Sequence, residues 1–186
     1  MFLPGLAGAD NDGSERSEAR SLANAPSLME KARQRADKQV SSSRTKAPDA
    51  KSTYGLLRWA ARLTGRELPA GTKPPPLVAL PLRQLNKRVC PNQPTDCASV
   101  VAAYGIEDGV ILHSDKLNMI DPIDRSFLLH ELVHFLQHQE EGEQVVRSCE
   151  SILRWERHAY VAQSRYLSKS GHPFPIDEMM KLTYCR

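Results

Sequence analysis

The sequence predicts an α+β domain in which helices surround a small sheet containing antiparallel strands. Three observations carry this. Apolar residues recur at helical spacing over residues 53–64, 122–138 and about 143–169. Short β-rich runs at 77–82 and 99–114 fall between the first and second of those segments. The order is therefore helix, sheet, then helices, not the strict strand–helix alternation of a parallel α/β fold.

The 186 residues are enough for one domain with a real core, plus a tail. Acidic and basic residues are interspersed at a net charge of +3, so no basic stripe points to nucleic acid. No apolar run approaches the roughly 18 residues of a membrane span.

Residues 1–52 are polar, rich in Ser, Ala, Asp, Arg and Lys, and read as a disordered segment. Within it, 27–40 could form a charged helix with too thin an apolar stripe to anchor a core. The Ala7-Gly8-Ala9 end of "MFLPGLAGA" has the form of a signal-peptidase site, a truncated signal-peptide remnant over 1–9 or chance in a small-residue stretch. The folded domain is expected over 53–186.

Its first element is "STYGLLRWAARLTG", with a Ser/Thr start and Gly65 as the stop. "LVALPL" follows as a strand, and Pro81 restricts it to an edge or a strand end. "SVVAAYGIEDGVILHS" reads as a hairpin around a Gly-containing turn. In "IDPIDRSFLLHELVHFLQH", Asp121 as N-cap, Pro122 at the first helical position and Asp124 in the first turn mark a strong helix start. A long helix from about Glu143 to Lys169 comes next, and "IDEMMKLTY" forms a short last helix.

The four cysteines form no C-x-x-C pair, which argues against a thiolate zinc site. For an exported chain the favoured disulfides are Cys90 with Cys97 and Cys149 with Cys185; four unpaired thiols in a cytoplasmic protein is the alternative. Export to a periplasm or the exterior is the expectation, as a monomer.

The chemistry concentrates in His130-Glu131-Leu132-Val133-His134. Positions four apart share a helix face, so both imidazoles can reach one Zn²⁺, while the adjacent Glu131 can touch a water without being a ligand. The bland alternative is a pair of satisfied core histidines. His138 lies one turn further on, which carries it away from such a metal, to the surface or the surroundings of the site. Glu140 and Gln137 stand where a metzincin would need His and Gly, which excludes that class. A peptide deformylase is excluded as well, because Cys97 lies in an unsuitable loop.

A catalytic zinc needs a third protein ligand. Glu141 and Glu143 fall in the connecting loop and read as solvated; Glu150 shares a face with Arg147, Arg154 and Arg157. Glu156 belongs instead to the inward stripe Cys149, Ile152, Leu153, Ala159, Tyr160 and Gln163. A carboxylate in such a stripe requires a partner, either the metal or a nearby arginine.

H-E-L-V-H followed by a helix bearing Glu156, Ala159, Tyr160 and Gln163 resembles the gluzincin group of zinc metallopeptidases, over roughly residues 99–168. The resemblance implies a minimal zincin-like domain, with the sheet packed on the H-E-x-x-H helix and a following ligand helix. It also implies zinc on His130, His134 and Glu156, Glu131 as general base, and a peptide or protein substrate. The strand at 109–114 would pair with substrate, and Tyr160 is a candidate for stabilising the oxyanion. Larger members carry a C-terminal domain with a further transition-state histidine that is not recognisable here. The second reading is therefore a weak or inactive zincin-fold module that binds zinc and a protein partner.

Overall fold

The computed structural model describes residues 46–91, 100–142, 148–173 and 175–180. The tail helix expected over 27–40, the remnant at 1–9, and Cys97 and Cys185 lie outside them.

Helix α1 (Ala50–Thr64) starts slightly earlier than its sequence signal. Asp49, not Ser52, is the N-cap: its carboxylate accepts the Ser52 N–H at 2.7 Å, and the Ser52 hydroxyl oxygen accepts the Asp49 N–H in return. Gly65 closes the helix with a φ of 71°, a left-handed conformation that a β-carbon would strain. Ahead of this helix, the Lys46 C=O accepts from the N–H of Met119.

Strand β1 (Leu77–Leu80) ends at Pro81, as expected, and Pro81 turns the chain into α2 (Leu82–Val89). The eight residues of α2 held too little periodicity to be predicted. Strands β2 (Ala102–Gly105) and β3 (Val110–Ser114) form the expected antiparallel hairpin, closed by Gly109 N–H on the Gly105 C=O at 2.8 Å.

Strand order is β1-β3-β2, with β1 parallel to β3 and β2 antiparallel to it. This corrects one expectation. β3 is the central strand, bonded on both sides, and cannot pair with a substrate; β2 and β1 are the edges.

Helix α3 (Pro122–Glu141) has Asp121 as N-cap, accepting from Ile123 N–H at 2.8 Å, and Pro122 at its first position. Every residue from Ser126 to Gln137 is buried, so this helix runs through the molecule's centre with α1, α4 and β2 around it. Leu128, Leu129, Leu132 and Val133 have no exposed surface, and each such side chain contributes about 1.5–3 kcal/mol of burial. The helix includes Glu141, which corrects the solvated-loop reading. Its carboxylate bridges the Arg66 guanidinium (2.8 Å) and the Trp155 indole N–H (2.9 Å).

Helix α4 (Cys149–Lys169) begins at Cys149, not near Glu143, because Ser148 and Ser151 form a reciprocal cap there. Its buried face runs through Ser151, Trp155, Ala159, Ala162, Gln163, Tyr166 and Leu167. Cys149 is exposed, contrary to its place in the expected stripe, and Glu150 is exposed as expected. Cys90 and Cys149 are both disulfide-bonded. Helix α5 (Ile176–Met180) packs on α4. No helix among the described residues is long and apolar enough to cross a membrane.

Candidate metal centre

His130 and His134 lie one turn apart on α3, and Glu156 faces them from α4. Nε2 of His130 stands 3.1 Å from Nε2 of His134, and the Glu156 carboxylate oxygens lie 3.2 Å and 3.4 Å from those two nitrogens. Ligands at the roughly 2.0–2.1 Å typical of zinc stand about 3.4 Å apart along a tetrahedron's edge. The triangle has that size. The arginine alternative for Glu156 therefore gives way: its partners are the two histidines.

Hydrogen bonding dictates which nitrogens are free. Ser126 Oγ donates to the Ile123 C=O at 2.6 Å, so its lone pair accepts the Gln163 amide N–H at 3.0 Å. That orients Gln163 with its oxygen toward Nδ1 of His130, 3.1 Å away, so Nδ1 carries the proton. On the other histidine, the Gln137 amide nitrogen donates to the Trp155 C=O at 3.2 Å, and its oxygen accepts from Nδ1 of His134 at 2.8 Å. Both imidazoles thus direct an Nδ1–H at an amide oxygen, and both Nε2 atoms face the triangle with a carboxylate. Two Nε2 atoms and a carboxylate converge on one point, an arrangement that is stable around a cation or with a proton shared between an imidazole and Glu156.

The electrostatics agree. Burial works against charge on His134, but the hydrogen bond and charge of Glu156 outweigh it and push the ring up to about 9. Burial likewise raises the Glu156 carboxyl, and the bonds from His130 and His134 override that and hold it well below the ordinary carboxylate range. The donor set suits a metal ion: His130, His134 and Glu156 could hold one, their ligand atoms all lying within 4.8 Å of one another.

Glu131 is buried beside the triangle without joining it. Its Oε2 accepts the backbone N–H of Tyr104 at 2.8 Å. Tyr104 is anchored in turn, its hydroxyl 2.8 Å from Nδ1 of His138 and its ring edge-on to Phe135. His138 therefore lies outside the ligand set, as expected, but half-buried and holding β2 in place. The Tyr160 ring packs 4.6 Å from that of His130, and the Trp155 ring stacks on His134 at 6.0 Å and 19°.

The triangle, Glu131, Tyr104 and Tyr160 line a cleft of about 270 Å³ between α3, α4 and β2, with Val89, Phe127 and Met179 as apolar walls. Sequence reasoning picked out the three converging side chains and Glu131. It missed Gln137, Tyr104 and Trp155, and took Gln163 only as a motif residue. The one available signal was that Gln137 and Gln163 are amides inside apolar helix faces, where each needs a partner.

The chain matches no protein-family model, no curated protein and no solved structure.

Proposed function

We propose that the chain is a zinc-dependent metallopeptidase of the gluzincin type, hydrolysing peptide bonds. The observation that carries this is the convergence of two Nε2 atoms and the Glu156 carboxylate at tetrahedral spacing, with Glu131 alongside. Zinc held by His130, His134 and Glu156 would supply a Lewis acid that acidifies a water and polarises a carbonyl.

The chain's own groups do the rest. One oxygen of Glu131 is fixed by the Tyr104 N–H, and the carboxylate lines the cleft. Its other oxygen would take a proton from the attacking water and return it to the leaving amine. Substrate alignment falls to β2. Val101 C=O accepts from Ser114 N–H and Gly105 C=O from Gly109 N–H, so these residues bond inward. By strand alternation, the polar groups of Ala102 and Tyr104 point to the free edge. Tyr104 N–H is taken by Glu131, which leaves those of Ala102 for an added peptide strand. The walls formed by Val89, Phe127 and Met179 favour an apolar side chain next to the scissile bond. The disulfide-bonded Cys90 and Cys149 support an exported protein.

The test is zinc content and peptide cleavage for wild type, Glu156→Ala and Glu131→Gln. Expected are one zinc in wild type, loss of zinc in Glu156→Ala, and zinc without turnover in Glu131→Gln. A wild type that retains no zinc ends the reading. Zinc retained by wild type with no cleavage across a broad peptide library favours the partner-binding module.

A further inference from the structure

A second concavity lies where α1, α3 and α4 meet, and shares no lining residue with the metal cleft. It has a volume of about 470 Å³ and is lined by Lys46, Arg58, Arg62 and Arg125, with no carboxylate among the described lining residues. Its apolar floor is Leu56, Met119 and Tyr166.

Two features separate it from an ordinary solvated basic face. Nε of Arg125 is buried without a hydrogen-bond partner, the one such side-chain atom among the described residues. A buried guanidinium nitrogen left unpaired is costly and calls for an acceptor. Two of the cations also sit on aromatic rings of the lining: Arg62 stands 5.3 Å from the Trp59 ring centre and Arg125 6.0 Å from that of Tyr166. Among the described residues, Lys46 is the one of these cations with an ion-pair partner, Asp49 at 3.3 Å.

We propose that this groove binds a soluble phosphomonoester bearing a small apolar group. A phosphate dianion suits several guanidinium forks at once. The apolar substituent would lie on Leu56, Met119 and Tyr166.

Gly55 provides a clean test. It lines the groove within α1, and a β-carbon built on it meets nothing within 4 Å. Gly55→Glu therefore introduces a competing carboxylate while keeping every cation, at a position where Glu is the better helix former.

The experiment titrates phenyl phosphate into the full chain at low ionic strength and follows the two tryptophan indole N–H signals by NMR. The Trp59 signal should move saturably while that of Trp155, buried against His134 and bonded to Glu141, stays in place. Benzoate, with one charge, should need about tenfold more. Arg125→Gln and Gly55→Glu should each weaken binding by about tenfold or more, with the unfolding midpoint of Gly55→Glu no lower than that of wild type. No saturable shift, an equal shift from sodium chloride at matched ionic strength, or undiminished binding by Gly55→Glu overturns the proposal. Because zinc content is read separately, its failure leaves the metallopeptidase reading intact.

Discussion

The backbone N–H of Tyr104 donates to Oε2 of Glu131 at 2.8 Å, tying the edge strand of the sheet to the acid beside the metal triangle. A carboxylate free to rotate would spread its basicity over many positions. Here one oxygen is clamped, so the strand that would receive a peptide also aims the group that would take the proton. On the proposed function, position of substrate and position of base would be set by the same backbone.

Ala102→Pro tests that arrangement. The N–H of Ala102 points to the free edge, so proline there costs the β2–β3 ladder no bond. Zinc content should stay at wild-type level while kcat/KM falls by about tenfold or more, one hydrogen bond's worth. Cleavage at the parent rate would remove β2 as the substrate strand.

The two glutamines should behave as positioning residues. Gln163→Leu and Gln137→Leu each leave an imidazole Nδ1–H without its acceptor, and each should weaken zinc binding by about 10–100-fold. Competition against a chelator measures this. Gln163→Glu, which restores an acceptor to His130, should recover most of the affinity; equal weakening by both replacements would mean the effect is packing alone.

Metal binding should depend on pH with a definite sign. In the metal-free protein His134 is raised from its ordinary 6.5 to about 9, so its contribution to stability is complete below about 6.5 and is lost as pH rises through 9. Glu156 is lowered from 4.5, so its contribution is present above 4.5 and is lost in acid. The metal-free form should therefore be most resistant to urea between about pH 4.5 and 6.5. Zinc must displace the proton on His134, so affinity should rise about tenfold per pH unit toward pH 9. A pH-independent affinity over that range would show that the triangle holds no proton to displace.

Leu128→Ala probes the central helix. Leu128 has no exposed surface, and its truncation should cost about 2–5 kcal/mol in denaturant unfolding. A cost under about 1 kcal/mol would mean that the surroundings of α3 collapse into the space, and that the helix is less tightly enclosed than its burial indicates.

Much of the site was legible because it depends on local periodicity. The Asp121-Pro122 start fixes the phase of α3, and a four-residue spacing then puts His130 and His134 on one face. Glu156 stood out as a charge within an apolar stripe. Cys149 shows the limit of that method: the periodicity that placed Glu156 inward also placed Cys149 inward, but position 149 is the first residue of the helix and lies exposed. Glu141 shows another. Nothing near it in the chain reveals that Arg66 and Trp155 converge on its carboxylate.

By itself the sequence determined the α+β class, the helix carrying both imidazoles, and the charge obliged to find a partner. Tertiary structure decided which strand is the open edge, which amides orient the imidazoles, and where the arginines gather. The physical reason is range. Helix phase and capping are set by neighbours within a turn, whereas the parallel pairing of β1 with β3 and the reach of Gln163 to Ser126 are set by which distant surfaces exclude water together.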